Sequence, residues 1–294
     1  MFAIACALII AWSTSPPSPL AHSVEYWRTI ARAGYEPPAG ADVPALTGEL
    51  LEMLASPDPE LRDQLAYSAL ASWIYERKIL DAAALQPVTS TLLGNLRIDL
   101  GSVGTDAVLR RSFSALILSV VVARDNADPV LDENGYRRIL TATLAYLEAE
   151  KDTRGYDQTK GWMHSAAHTA DLLKFLARSR YATTTDQAKI LEAITRKLNA
   201  SSVLIYGEDE RLARAVLAIV NRKDFDAAVF RQWAEGSRPT AIRAELPPAA
   251  QLQAAQNVKN MFSKLDVLLS ADSQPTDLVK SARDSVRTAL KDLY

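Results

Sequence analysis

Apolar residues recur every three to four positions along most of the chain, which is the spacing of one face of an α-helix. Leu61, Leu65, Ala69 and Trp73 are one such series. Prolines, glycines and short polar stretches separate the series and mark where helices begin or end. The pattern predicts helices over residues 60–77, 82–96, 107–124, 132–150, 161–178, 187–198, 208–221, 225–234, 249–269 and 275–293.

The segment 107–124 is the most apolar of these predicted helices. It is apolar on nearly all sides between Ala115 and Val122, so we expect it in the middle of the fold. Asp81 is a candidate N-cap for the predicted helix 82–96. Thr105 or Asp106 is a candidate N-cap for the predicted helix 107–124. No alternating stretch is long enough for a useful strand, and the β-branched piece 203–206 is too short to build a sheet. The sequence therefore predicts an all-α protein.

Short polar connections between about a dozen helices favour antiparallel pairs. Helix lengths indicate a HEAT- or armadillo-like α/α array, although the sequence shows no repeat of fixed period. The alternative is a closed α/α bundle or toroid. We predict a single helical domain over residues 24–294, with residues 239–248 as the best internal boundary.

The amino-terminal residues are typical of an export signal. Phe2 to Trp12 form an unbroken apolar run, too short to cross a bilayer, which needs roughly 20 residues, but suited to a signal peptide. Ala21 and Ser23 put small residues at the -3 and -1 positions of a cleavage after Ser23. Cleavage after Ala21 is the second option, with Pro19 at -3 as an argument against it. We predict that residues 1–23 are a signal peptide and that the protein is exported, periplasmic or secreted, without a stable membrane span. The alternative is a cytoplasmic protein.

Composition narrows the possible chemistry. The chain has 294 residues, of which 48% are hydrophobic and 23% charged, as in ordinary globular proteins. A net charge of -2 gives no basic footprint, so we expect no nucleic-acid partner. Cys6 is the only cysteine and lies within the predicted signal peptide. A cleaved protein would have no cysteine, which excludes disulfides, thiolate nucleophiles and cysteine-bound zinc within the chain.

Several segments resemble one known family. The most specific is the Gly-Trp-x-His-Ser-x-x-His block that ends at His168. The resembling segments are 61–67, 112–116, 150–156, 160–168, 170–173 and 206–212. Together they resemble the bacterial family of domain of unknown function 2785 (DUF2785), over roughly residues 45–270. The resemblance implies an all-helical protein and supplies no established activity.

A polar stripe on the predicted helix 161–178 suggests a metal site. At helical spacing His164, His168 and Asp171 fall on the side opposite the aliphatic residues. Two histidines four residues apart suit a divalent metal, and Asp152, Glu208 or Asp209 would complete the ligands. The alternative is that both histidines hydrogen-bond to backbone carbonyls or acids across a helix pair. We expect no cofactor. The alternative is a divalent metal bound by His164, His168 and Asp171.

Our leading functional hypothesis is a binding groove bordered by residues 152–171, because helical arrays usually bind peptides, proteins or other ligands on concave surfaces. The alternative is a hydrolase-type enzyme that uses His164 and His168 with acidic neighbours, with or without a metal. The candidate site residues are Asp152, Arg154, Tyr156, Trp162, His164, His168, Asp171, Glu208 and Asp209.

Some of these residues also have simpler structural roles. Arg154 can pair with Asp152 instead of holding an anion. Glu208 and Asp209 can stabilise the start of a helix, where unpaired N–H groups favour carboxylates. Trp162 is expected to anchor the core, as are Trp73 and Trp233.

Overall fold

The structure is a computed structural model that describes residues 21–200, 202–237, 248–291 and 293. The apolar run of the predicted signal peptide lies outside these residues. The described residues are mostly helical, which confirms the prediction of an all-α protein. The helices are α1 (Val24–Arg32), α2 (Val43–Met53), α3 (60–76), α4 (Ala82–Asn95), α5 (Ala107–Ala127), α6 (Glu133–Ala149), α7 (Ser165–Arg178), α8 (Thr184–Ala200), α9 (Glu208–Val220), α10 (Ala227–Gly236), α11 (Ala249–Ser270) and α12 (Asp277–Lys291).

Helix starts follow the local chemistry of the sequence. Asp81 caps α4, as predicted, by accepting a hydrogen bond from the N–H of Ala84. Asp106 holds the N-cap position of α5 but makes no side-chain bond to that helix. Its carboxylate instead lies 2.6 Å from Nζ of Lys160. Ser23, Asp42, Asp132 and Asp226 cap their helices through side-chain oxygens.

Three central helices, α5, α7 and α9, run parallel. Near their amino-terminal ends Ser112 of α5 contacts His168 of α7, and near their carboxyl-terminal ends Asn126 donates to the carbonyl of Phe175. Arg211, in the first half of α9, forms an ion pair with Asp171, in the first half of α7. The amino termini of all three helices therefore meet at one end of the fold, beside the loop that precedes α7.

The helices pack in two layers that follow chain order. In one layer α5, α7, α9 and α11 lie side by side, and in the other α6, α8 and α10 do the same. Such layering is typical of stacked helical units. The HEAT- or armadillo-like form of the array, and its closed alternative, stay predictions.

One buried core connects the described helices from Trp27 in α1 to Ala289 in α12. Trp73 is fully buried, as predicted, and Trp233 packs partly buried against the same core. Most of α5 is buried, which agrees with its position in the middle of the fold. The predicted boundary 239–248 lies outside the described residues except for Pro248, so the single domain stays a prediction.

The prediction for residues 161–178 was wrong at its amino-terminal end. The chain there forms a two-stranded antiparallel hairpin, β1 (Tyr156–Asp157) and β2 (Gly161–Trp162), and α7 begins only at Ser165. Gly161 and His164 have φ of 71° and 48°, in the left-handed region that a right-handed helix cannot include. Helices α1 and α2 were not predicted individually. No helix among the described residues is long and apolar enough to cross a membrane.

Candidate binding surface at the hairpin and helix α7

The turn of the hairpin is fixed by its own side chains. One carboxylate oxygen of Asp157 accepts hydrogen bonds from the backbone N–H groups of Thr159 and Lys160, at 2.8 and 2.9 Å. Gly161 closes the turn with a positive φ that favours glycine. Tyr156 pairs with Trp162 across the two strands, so their side chains lie on the same side of the hairpin.

Arg62 of α3 holds the hairpin against the rest of the fold. Its side chain is fully buried, and Nη2 donates to the carbonyl oxygen of Lys160 at 2.7 Å. The guanidinium also pairs with Asp63 at 2.8 Å and lies over the ring of Phe113, 4.7 Å from its centroid. The sequence did not indicate the bond between Arg62 and Lys160, because 98 residues separate them.

Asp152 and Arg154 form the ion pair that was offered as the structural alternative. Arg154 Nη2 lies 2.6 Å from the carboxylate and also donates to the carbonyl of Thr105 at 2.7 Å. Burial on its own would raise the pKa of Asp152, but hydrogen bonds from Arg154 and from the N–H of Gly104 outweigh it and lower that pKa. The pair therefore ties the loop before the hairpin to the start of α5.

His164 lies beneath the hairpin as a neutral ring. It stacks on Trp162 with ring centroids 4.2 Å apart and planes 20° from parallel. Its Nε2 lies 3.1 Å from the carbonyl oxygen of Tyr206, so Nε2 carries the proton and donates it. Burial, and next the positive charge of Arg211, lower the pKa of His164 to about 4.

His168 is also neutral, and its partners fix its tautomer. Nδ1 lies 2.8 Å from the hydroxyl of Ser112, and that hydroxyl donates its only proton to the carbonyl of Met163. Nδ1 of His168 must therefore donate to Ser112. The ring also meets Phe113 edge-on, and burial holds its pKa well below 6.5.

Three aromatic rings remain exposed above these histidines, and we call Tyr156, Trp162 and Tyr206 the aromatic patch. They are 48%, 40% and 42% exposed, respectively. The ring centroid of Trp162 lies 4.8 Å from that of Tyr156 and 6.1 Å from that of Tyr206. A Cβ atom at Gly155 would lie 2.0 Å from the Tyr206 side chain, so only glycine leaves room for that ring. Trp162 is thus a surface residue, and its expected role as a core anchor was wrong.

The acidic candidates have partners of their own. Asp171 pairs with Arg211 and with Lys174, the latter at 3.2 Å. Glu208 accepts the N–H of Tyr206 at 2.8 Å, and burial raises its pKa. Asp209 accepts the N–H of Glu210 at 2.8 Å. Glu208 and Asp209 thus stabilise the first turn of α9 and the loop that carries the Tyr206 ring.

One protein-family model matches the part of the chain that carries the aromatic patch. A family model described as "protein of unknown function (DUF2785)" matches residues 96–267, which is more than half of the chain. The chain belongs to the DUF2785 family. The hairpin and all three rings of the aromatic patch lie within the matched range, whereas Arg62 precedes it. Comparison of this DUF2785 protein with curated proteins, and with solved structures, returns no match.

The metal hypothesis for this DUF2785 protein stays a prediction that its geometry does not favour. Among the described residues no three His, Cys, Asp or Glu side chains lie together as metal ligands. The ring centroids of His164 and His168 are 5.8 Å apart, but Nε2 of His164 donates to a carbonyl and Asp171 faces Arg211. The nearest carboxylate oxygen of Glu208 lies 3.9 Å from His164 Nε2.

Sequence reasoning missed Tyr206, which completes the aromatic patch of the DUF2785 protein. Its signals were its place just before Gly207, at the start of a predicted helix, and its inclusion in the resembling segment 206–212. Nothing in the sequence showed that this turn lies against Gly155 and His164, because 42 residues separate Tyr206 from His164. The candidates that do meet are Tyr156, Trp162, His164 and Glu208.

Proposed function

We propose that this protein is a binding protein and that its aromatic patch recognises a peptide segment of a partner protein. The exposure of three touching aromatic rings at one place supports the proposal most directly. Tyrosine and tryptophan are enriched among the residues that contribute most to protein interfaces, because each buries a large area with few rotatable bonds.

The support beneath the patch favours binding further. His164 stacks under Trp162, and Gly155 lies directly under the Tyr206 ring. Arg62 fixes the strand that carries Trp162 through the carbonyl of Lys160. Rings that are already ordered lose little conformational entropy when a ligand covers them, so more of the contact energy contributes to affinity.

The hydrolase alternative stays a prediction with less support. Ser112 and His168 bring a hydroxyl and an imidazole into contact at the site, but Ser112 is fully buried. Its proton is donated to the carbonyl of Met163 and not to the histidine. A serine nucleophile needs the opposite arrangement, in which the imidazole accepts the hydroxyl proton.

A displayed library of random peptides tests the binding proposal. We expect selection on the wild-type protein to yield sequences with a shared motif whose binding is lost in Trp162→Ser. The matched control is Tyr75→Ser, which removes a ring that is 45% exposed elsewhere on the molecule. Failure of the library to converge, or binding that survives Trp162→Ser unchanged, would contradict the proposal.

We propose in addition that the protein is exported and that its signal peptide is cleaved after Ala21. The described contacts support this site over Ser23. The backbone nitrogen of His22 lies 3.0 Å from Glu49, and its ring pairs with the same carboxylate at 2.8 Å. Ser23 caps α1. Cleavage after Ser23 would remove both groups, whereas cleavage after Ala21 would place a new ammonium group beside Glu49.

Amino-terminal sequencing of the protein from its native host tests this second proposal. We expect a mature chain that begins at His22 in the exported fraction. A chain that still begins at Met1 in the cytoplasm would contradict export, and a chain that begins at Val24 would contradict the choice of site.

A further inference from the structure

A groove runs between α4 and α6, away from the aromatic patch. Its volume is about 760 Å³, within the range of roughly 300–1,000 Å³ that is usual for small-molecule sites. The buried residues Leu96 and Tyr146 lie along it. The walls are mostly apolar or small, with Leu93 and Gly94 on one side and Ala142 on the other.

The two helices that form the walls run in the same direction. Asn95, the last residue of α4, donates to Ser114 in the first half of α5. Glu150, just after α6, pairs with Arg111, also in the first half of α5. Because both helices approach α5 with their carboxyl-terminal ends, equivalent turns of α4 and α6 face each other across the groove.

Two arginines line this groove at different points along its length. Arg138 reaches the hydroxyl of Ser90 across the groove, at 3.5 Å. Asn95, the last residue of α4, lies five residues after Ser90, about 7.5 Å at the rise of a helix, and Arg97 lies two residues beyond Asn95. The arginines are therefore separated along an apolar channel.

The charges of these two arginines are not neutralised within the described part of the chain. Arg137, which also lines the groove, pairs with Asp186 and Glu133. By contrast, neither Arg97 nor Arg138 has a carboxylate within ion-pair distance among the described residues. Two uncompensated cations beside an apolar surface suit an acidic ligand with an apolar body.

We propose that this groove binds an apolar chain that carries a carboxylate at each end. The chain lies over Leu93, Gly94 and Ala142, and the two carboxylates pair with Arg97 and Arg138. The inference is independent of the proposed peptide-binding function, since none of its residues belongs to the aromatic patch.

Calorimetric titration of the full chain with decanedioate tests the proposal, because this ligand is a ten-carbon chain with an apolar body and a carboxylate at each end. We expect saturable binding of one molecule. Arg97→Gln and Arg138→Gln should each weaken it about tenfold, the effect of losing one charged hydrogen-bond partner. Arg231→Gln, which removes an exposed arginine of α10, is the matched control and should bind as the wild type does.

Gly94→Leu tests the position of the ligand without disturbing the fold. A Cβ atom at Gly94 meets nothing within 4 Å, and leucine favours a helix more than glycine does. The leucine side chain should fill the groove and abolish binding, while the thermal midpoint stays equal or rises.

Two reference ligands complete the test. Decanoate should bind more weakly than decanedioate, because it reaches only one arginine, and 1,10-diaminodecane should not bind. Equal binding of the diamine, equal binding of decanoate, or no binding of decanedioate up to its solubility limit would each overturn the proposal.

Discussion

His164 and His168 are neutral residues that support the surface instead of forming it. Burial is the main reason that the pKa of each lies below 6.5. Each ring donates one N–H to a neighbouring segment. His164 donates to the carbonyl of Tyr206, and His168 donates to the hydroxyl of Ser112. Protonation would place a charge in this buried region and weaken the support of the aromatic patch.

Acid should therefore destabilise the protein through these histidines. An unfolded chain takes up a proton at His164 as the pH falls through 6.5, but the folded chain does so only near pH 4. The stability from neutral His164 is thus complete above pH 6.5 and is lost as the pH falls to about 4. At about pH 5 the free energy of unfolding should be about 2 kcal/mol lower than at neutral pH because of this group.

Urea unfolding at about pH 7.5 and about pH 5 checks this prediction. His164→Asn is the matched variant, because asparagine tolerates the left-handed backbone at this position. The decrease in the free energy of unfolding between the two pH values should be smaller in the variant by about 2 kcal/mol. An equal decrease in both proteins would mean that His164 does not titrate as described.

Trp162 and Trp73 should respond very differently to substitution. Trp73→Ala removes a fully buried side chain and should cost about 3–5 kcal/mol. Trp162→Ala removes a ring that is 40% exposed and should cost only about 1 kcal/mol. Urea unfolding measures both, and a loss at Trp162 as large as that at Trp73 would contradict its surface position.

At the residue scale the sequence located the site but not the geometry of its members. His164 and His168 are the only histidines besides His22. They lie beneath the aromatic patch, with the His164 ring stacked on Trp162 and its centroid 5.8 Å from that of His168. Their assignment to one helical stripe failed because His164 precedes the helix in a left-handed conformation. A spacing of four residues implies a shared face only inside a helix.

Among the elements, the hairpin depends most on a distant side chain. Arg62→Met keeps the apolar length of the side chain but removes the bonds to Lys160 and Asp63. We expect a loss of about 2–3 kcal/mol, because the carbonyl of Lys160 loses a charged donor. Hydrogen exchange should also become faster at the N–H of Met163, which bonds to Gly155 beside the strands.

Arg32→Met provides the control for this variant. Arg32 is paired with Glu25 but is 65% exposed, and such surface pairs contribute about 0–1 kcal/mol. Equal effects of the two variants in urea unfolding would show that Arg62 is no more than a surface ion pair.

Helices with long apolar stripes were the elements that the sequence predicted best. α4, α5 and α6 begin within two residues of their expected starts. The hairpin was not predicted, because each of its strands has only two residues and makes no alternating pattern. Asp157 holds its turn locally, but its position against the fold depends on Arg62, which lies 98 residues from Lys160, and no local pattern carries that information.

Across the whole molecule, a buried cluster links the two layers of helices. Arg111 of α5 and Glu150 after α6 pair at 2.6 Å with both side chains almost fully buried. Lys197 of α8 donates to the carbonyl of Glu150 at 2.6 Å. Glu150 also accepts the N–H of Asp152, so the cluster connects the layers with the loop that leads to the hairpin.

Breaking this pair from one side should be costly. Glu150→Gln leaves the buried guanidinium of Arg111 without a countercharge and should lower the free energy of unfolding by about 3–5 kcal/mol. The double variant Arg111→Met with Glu150→Gln should recover part of that loss, because the guanidinium that lost its countercharge is also removed. Thermal and urea unfolding test both, and a double variant less stable than the single one would contradict this explanation.

The all-α class of the molecule could be predicted from helical periodicity and the low glycine content, since both act locally. The parallel alignment of α5, α7 and α9 could not, because it depends on contacts such as that between Ser112 and His168. That alignment gathers Gly155, Trp162 and Tyr206 at one end of the fold. The candidate site was therefore predicted in part, and its surface emerged only from the three-dimensional structure.

We claim that Trp162 and its neighbouring rings form a binding surface, and the indole N–H resonance of Trp162 gives the sharpest test. A peptide selected on the protein should shift this resonance saturably in a ¹H–¹⁵N NMR titration. The indole resonances of the buried Trp27 and Trp73 should stay in place. A selected peptide that binds without moving the Trp162 resonance would contradict the claim.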